Sequence, residues 1–188
     1  MGEKIAITGG IGCGKSFICR YFERRGIEIY DCDRAAKRII ATSDAVRLRL
    51  RAVVGDCVFN RDNSLNKSAL SAFLLRNESN ARLINSIVHP AVATDFMNSG
   101  LAWMECAILY SSGFDKYVDK VICVTAPIDV RVSRIMQRDG ITSAQAYEWI
   151  QHQQPQEEVL ARSDFEIKND GEHDIEVQID KIIKTLNT

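Results

Sequence analysis

Residues 4–22, Lys4-Ile5-Ala6-Ile7-Thr8-Gly9-Gly10-Ile11-Gly12-Cys13-Gly14-Lys15-Ser16-Phe17-Ile18-Cys19-Arg20-Tyr21-Phe22, decide how the rest of the chain is read. Lys4 to Thr8 is an apolar, β-branched run ended by glycine, the pattern of a short buried strand. Residues 15–25 carry apolar groups at Phe17, Ile18, Tyr21 and Phe22, a helical stripe that stops at Gly26. Between them Gly9, Gly14, Lys15 and Ser16 satisfy G-x-x-x-x-G-K-[ST], with Gly10 and Gly12 as further glycines. The spacing predicts a loop whose backbone N–H groups point inward, at a helix N-terminus whose dipole favours the same anion. Lys15 is placed to reach the β- and γ-phosphates of a nucleotide, and the Ser16 hydroxyl to ligate Mg²⁺.

The remaining strand and helix patterns extend this reading. Ile27 to Tyr30 reads as a second strand ended by Asp31-Cys32-Asp33, with a helix expected over 34–41. Residues 44–98 are polar and read as short helices only, with Asn66 and Ser79 as N-caps and Pro90 as a break. Strands are expected at 101–109, 118–125 and 165–168. Helices are expected at 127–137 behind Pro127, at 143–153 capped by Ser143, and at 174–186. Strands alternating with helices predict an α/β fold: three layers around a central parallel sheet. The helical middle then reads as a lobe inserted at the ligand-binding edge of that sheet.

Bulk composition narrows the function classes. The chain has 188 residues, 46% hydrophobic and 26% charged, which suits one compact domain with small inserted lobes. A net charge of −1 offers no global basic field for nucleic acid or an anionic membrane, so a bound anion must be held locally. Six cysteines without a CxxC pair read as reduced thiols, and the scattered histidines give no zinc pattern. No apolar run reaches ~18 residues, and the early first strand leaves no room for a leader, so a cytoplasmic protein is expected. Nothing in the sequence reads an oligomeric state; a monomer is favoured.

The nucleotide's use is argued from the acids and arginines. A guanine-reading N-K-x-D is lacking: the nearest match, Asn66-Lys67-Ser68-Ala69, has no aspartate. A chain of this length without long helical arms also fits a motor poorly. Phosphotransfer to a small acceptor remains. Asp31 and Asp33 follow the second strand, and strand ends in a parallel sheet share one edge, which predicts that these carboxylates face the phosphate loop. One carboxylate can orient an acceptor hydroxyl and take its proton, while the other holds Mg²⁺ through water. Arg131, Arg134 and Arg138 share a helix face beside Asp139-Gly140, which reads either as a lid closing over the phosphates or as a solvated basic face.

With these residues in place, the chain resembles the dephospho-CoA kinase family over nearly its full length. Thr8 to Ser16 is similar to that family's TGGIGSGKS, with Cys13 for the usual serine. Asp31-Cys32-Asp33 resembles its DAD, His89-Pro90 its HP, Gln137-Arg138-Asp139 its QRD, and Ile167 to Gly171 its I-x-N-x-G. The resemblance implies an enzyme that uses ATP and Mg²⁺ to phosphorylate the 3′-hydroxyl of dephospho-CoA, the last step of coenzyme A biosynthesis. It implies Asp33 as general base, with Lys15 and Arg138 acting on the phosphates. ATP falls to Gly9 through Phe17 and to Asn169 and Gly171, the latter loop near the adenine. The acceptor falls to Thr8, Asp31, Asp33 and His89, and Mg²⁺ to Ser16 and Asp31. Three parts are implied: a core over about 1–43, 101–137 and 154–188, an acceptor lobe over about 44–100, and a lid over about 138–153.

The chain departs from the family where PLLFE is usual. It reads Glu105-Cys106-Ala107-Ile108-Leu109-Tyr110-Ser111, so the acidic position falls on Tyr110 and Glu105 is the nearby carboxylate. Val159 stands where a lysine is usual. The alternatives are a kinase of the same fold for a nucleoside monophosphate or a shikimate-like acceptor, or a non-catalytic nucleotide switch. Cys13 lies near a helix N-terminus, where a thiol pKa is often lowered, so inhibition by thiol-modifying reagents is expected.

Overall fold

The computed structural model describes residues 2–187. Strands β1 (Ile5–Thr8), β2 (Ile29–Asp31), β3 (Trp103–Glu105), β4 (Lys120–Thr125) and β5 (Phe165–Lys168) form one sheet in the order β2-β3-β1-β4-β5. β1 pairs in parallel with β3, Ile7 opposite Glu105, and with β4, Thr8 opposite Cys123; β4 pairs in parallel with β5, Thr125 opposite Lys168. These registers bring Thr8, Glu105 and Thr125 to one edge of the sheet. All four residues of β1 are buried, and so are five of the six of β4, as a strand covered on both faces requires.

Nine α-helices occur among the described residues: α1 (Lys15–Glu23), α2 (Cys32–Thr42), α3 (Asp44–Val54), α4 (Lys67–Leu74), α5 (Glu78–Asn98), α6 (Ile128–Asp139), α7 (Ser143–Gln151), α8 (Gln156–Ala161) and α9 (Ile175–Leu186). The fold is α/β, a parallel sheet covered by helices. α1 and α9 lay their apolar stripes, Ile18, Cys19, Phe22, Ile179 and Ile182, on Ile5, Ile7, Ile122, Val124 and Ile167 of the sheet. Each such side chain contributes about 1.5–3 kcal/mol when fully buried, so this face anchors the helix that starts at the glycine loop.

The chain divides into two compact units, residues 1–30 with 101–188, and residues 31–100. The first holds β1, β3, β4 and β5 with α1 and α6 to α9. The second is helical: α2 and α3 pack on α5, and Leu50, Val58, Val92 and Phe96 are fully or almost fully buried.

Several local expectations are corrected. Pro90 does not break a helix; it lies inside the 21-residue α5. An interior proline costs about 3 kcal/mol, but Ile84, Ile87 and Val88 before it and Val92, Ala93 and Phe96 after it are all buried, and that packing outweighs the loss. α5 is capped by Asn77, whose side chain accepts from Asn80 N, not by Ser79. Thr142, not Ser143, caps α7, through a capping box with Gln145. The strand expected over 101–109 ends at Glu105; the chain turns after Cys106 and Leu109 is buried. The short α8 carries no pattern long enough to be read in advance.

Candidate functional site: a phosphate loop held from three sides

β1 delivers the chain to the sheet edge at Thr8, which is buried, and residues 9–14 turn into α1. Gly9 has φ 146°, and a Cβ there would lie 2.4 Å from the Val124 carbonyl oxygen, so any side chain would push the loop off β4. Gly14 has φ 85°, and a Cβ would lie 2.3 Å from Asn169 Nδ2. Gly14 is also the N-cap of α1 and supplies no side-chain acceptor, which leaves the helix start available for a phosphate. Lys15 Nζ folds onto the loop, donating to Gly9 O at 2.9 Å and Gly10 O at 3.5 Å, which keeps its charge over the glycines.

The loop is held from outside by polar side chains. Buried Asn169, after β5, donates from Nδ2 to Cys13 O at 2.8 Å. Arg134 bridges Gly12 O and Asn169 Oδ1, each at 3.4 Å. Arg131 is only 5% exposed and donates from Nε to Ile11 O at 2.9 Å. The solvated basic face is therefore excluded for Arg131 and Arg134. Arg138, one turn further, is exposed and ion-paired with Asp139 at 2.7 Å. Gly171 lies beyond Asp170, whose carboxylate accepts from the His173 and Glu172 amides; those bonds, the His173 amide first, hold it well below the usual carboxylate range. Phe17 is exposed and meets Tyr21 edge-on at 5.1 Å between centroids.

Two cysteines bear on the loop. Cys13 is fully buried, with its Sγ 3.4 Å from Gln156 Oε1, and burial pushes its thiol up despite Arg131 and Lys15 nearby. The expected lowered pKa is thus corrected: the side chain points into the protein, and desolvation outweighs the helix N-terminus. Cys123, opposite on β4, is likewise pushed up to about 12 by burial.

At the end of β3, Glu105 accepts a hydrogen bond from Ser16 Oγ at 3.0 Å. A serine hydroxyl and a carboxylate make a pair of hard oxygens, the donor type that suits Mg²⁺. Glu105 is therefore the carboxylate found beside Ser16, a partner that the sequence signalled only as an acid ending a strand. Asp31 ends β2 and caps α2, its Oδ1 accepting from Arg34 N at 2.8 Å. Asp33 is exposed in the first turn of α2, and His89 is half-buried within α5, its imidazole pushed down by burial. Of the residues singled out from sequence, the structure thus gathers the glycine loop, Lys15, Ser16 and Asn169 in one place. Asp33 and His89 belong to the second compact unit.

The family model for dephospho-CoA kinase matches residues 4–174. A dephospho-CoA kinase of Bacteroides fragilis (strain YCH46) is 37% identical over 193 residues, covering 99% of this chain and 94% of that protein. The chain belongs to the dephospho-CoA kinase family. Two solved structures share its fold: a Thermus thermophilus protein (TM-score 0.86, 24% identity, 100% of this chain and 98% of that one) and the dephospho-CoA kinase of Campylobacter jejuni (TM-score 0.70, 22% identity, 99% and 98%).

Within this member of the dephospho-CoA kinase family, the departure at Tyr110 has a structural outcome. The Tyr110 hydroxyl donates to Arg162 O at 2.6 Å, and the Arg162 guanidinium stacks 3.8 Å from the centroid of its ring. Arg162 is in turn paired with Asp115 at 3.0 Å. Tyr110 is thereby tied into packing beside α8, while Glu105 supplies the carboxylate at the strand end.

Proposed function

We propose that this chain transfers the γ-phosphoryl group of ATP to the 3′-hydroxyl of dephospho-CoA, giving coenzyme A and ADP. The observation that carries this reading is the match to the dephospho-CoA kinase family over residues 4–174, on a chain whose glycine loop has the geometry of a phosphate site. In the transfer, the ribose 3′-oxygen forms a bond to the γ-phosphorus as the bond from that phosphorus to the β–γ bridging oxygen breaks. The hydroxyl proton passes to Asp33, and ADP leaves with the bridging oxygen.

The loop amides and Lys15 bind and orient the triphosphate. Ser16 and Glu105 would hold Mg²⁺, directly or through water, and the ion bound there would offset charge on the β- and γ-phosphoryl oxygens. Asn169 and Arg134 supply polar groups beside the loop for the nucleotide. Residues 138–153 act as a lid that excludes water, with Arg138 releasing Asp139 to meet the phosphates. Asp31 and His89 serve the acceptor. Among the described residues no helix is long and apolar enough to cross a membrane.

The test is ADP release with Mg²⁺-ATP in the presence of dephospho-CoA, AMP, CMP or shikimate. Stimulation by dephospho-CoA alone, with a product heavier by one phosphate, is expected. Preferential stimulation by another acceptor would move the chain to a different kinase class, and ATP binding without stimulation by any acceptor would favour a nucleotide switch.

A further inference from the structure

Ile11 is the one residue of the glycine loop with a large side chain, and three separate contacts converge on it. Its side chain packs against the cluster of Val132, Ile135 and Ala146, at the apolar seam between α6 and α7 that Ile141 and Ile150 also cover. Its carbonyl accepts from Arg131 Nε at 2.9 Å, and its N–H donates to Gln153 Oε1 at 2.7 Å. Arg131 belongs to α6 and Gln153 to the turn that follows α7. The fit is tight: a Cβ on Gly10 would lie 2.4 Å from Arg131 Nη2 and 3.1 Å from Gln153 Oε1.

We propose that Arg131 and Gln153 are positioning residues for ATP, acting through the Ile11 backbone. The inference rests on the phosphate-loop reading given above. Its physical basis is conformational entropy. A loop with glycines at 9, 10, 12 and 14 has many backbone conformations open to it, and only one presents its amides to a triphosphate. Clamping Ile11 through its N–H, its carbonyl and its side chain removes most of that freedom before ATP arrives, so less is lost on binding. The same clamp fixes the base of the α6–α7 hairpin to the loop, leaving the hairpin tip around Arg138 to Thr142 exposed.

The experiment uses the full chain with Gln153→Leu, Arg131→Met and the double substitution, varying ATP and dephospho-CoA separately. Each single change is expected to raise KM for ATP on the order of tenfold and leave KM for dephospho-CoA unchanged. The double variant is expected to stay near tenfold rather than reach a hundredfold, because both side chains act through one residue. Gln153 is only partly buried, so Gln153→Leu and Gln153→Ala carry the test if the Arg131 variants fail to fold. A wild-type KM for ATP in both Gln153 variants, with only the melting temperature lowered, would overturn the proposal and leave these contacts as packing. A lower KM would overturn it in the opposite sense, since Gln153 would then be competing with phosphate for the Ile11 N–H. Failure of the wild-type chain to bind ATP at all would instead remove the phosphate-loop reading itself.

Discussion

Around the glycine loop, polar side chains are committed to backbone: Asn169 to Cys13, Arg134 to Gly12, and Arg131 and Gln153 to Ile11. In the helical unit of residues 31–100, Asp33 sits exposed in the first turn of α2 and His89 lies half-buried along α5. The difference follows from the role proposed for each region. A site that binds through main-chain amides must have its backbone built and held. Asp33, proposed to act through its own carboxylate, is presented by the first turn of a helix.

This contrast can be broken by substitution. The largest effect is expected for Asp33→Asn, which removes the proposed proton acceptor but no loop contact. Turnover should fall about 10²–10⁴-fold with ATP affinity retained; a parallel loss of ATP binding, seen by titration, would mean that the second unit also builds the nucleotide site. Lys15→Ala should reduce turnover about 10²–10³-fold, the scale for one lost donor at the transferring group, and should weaken ATP binding as well. Near-normal turnover in that variant would remove the loop from the chemistry.

Stability probes sharpen the comparison further. Phe22, in the helix that follows the loop, and Phe96, in α5, are both fully buried, so Phe22→Ala and Phe96→Ala should each cost about 3–5 kcal/mol in denaturant unfolding. ATP should recover part of the loss for Phe22→Ala if the loop's helix remains formed, which a thermal shift with and without nucleotide would reveal.

The smallest effect concerns pH. Burial holds the His89 imidazole below its ordinary value near 6.5. The unfolded chain therefore takes up that proton first as pH falls, and stability declines below about 6.5 while remaining unaffected above it. His89→Gln should flatten this part of the profile below about pH 6.5. Identical denaturation midpoints against pH for the two proteins would show that His89 contributes nothing to it.

The phosphate loop, the α/β alternation and the cap at Asn66 were legible in sequence because each depends on local chemistry: glycines at fixed offsets, apolar periodicity, and an oxygen placed to accept from a helix's first turn. The roles of Arg131, Arg134 and Arg138 were not legible. The three share a helix face at spacings that look equivalent, yet two clasp the loop while the third pairs with its neighbour in sequence. That separation depends on where α6 meets residues more than a hundred positions earlier in the chain. The same holds for Cys13. Its place in the motif suggested a reactive thiol, and only packing against α8 and β4 turned it inward and raised its pKa.

Pro90 and Glu105 show the remaining division. A proline rule is local, and it was overridden by apolar residues on both sides that share one buried stripe. Glu105 was visible as an acid at a strand end, but its partnership with Ser16 was set by the parallel register of β3 on β1, a pairing of residues 89 positions apart. The sequence by itself determined that a loop for phosphate would form between a strand and a helix. Tertiary structure decided which side chains hold that loop, because contacts between distant segments depend on how the sheet and its helices pack and not on the pattern of any one segment.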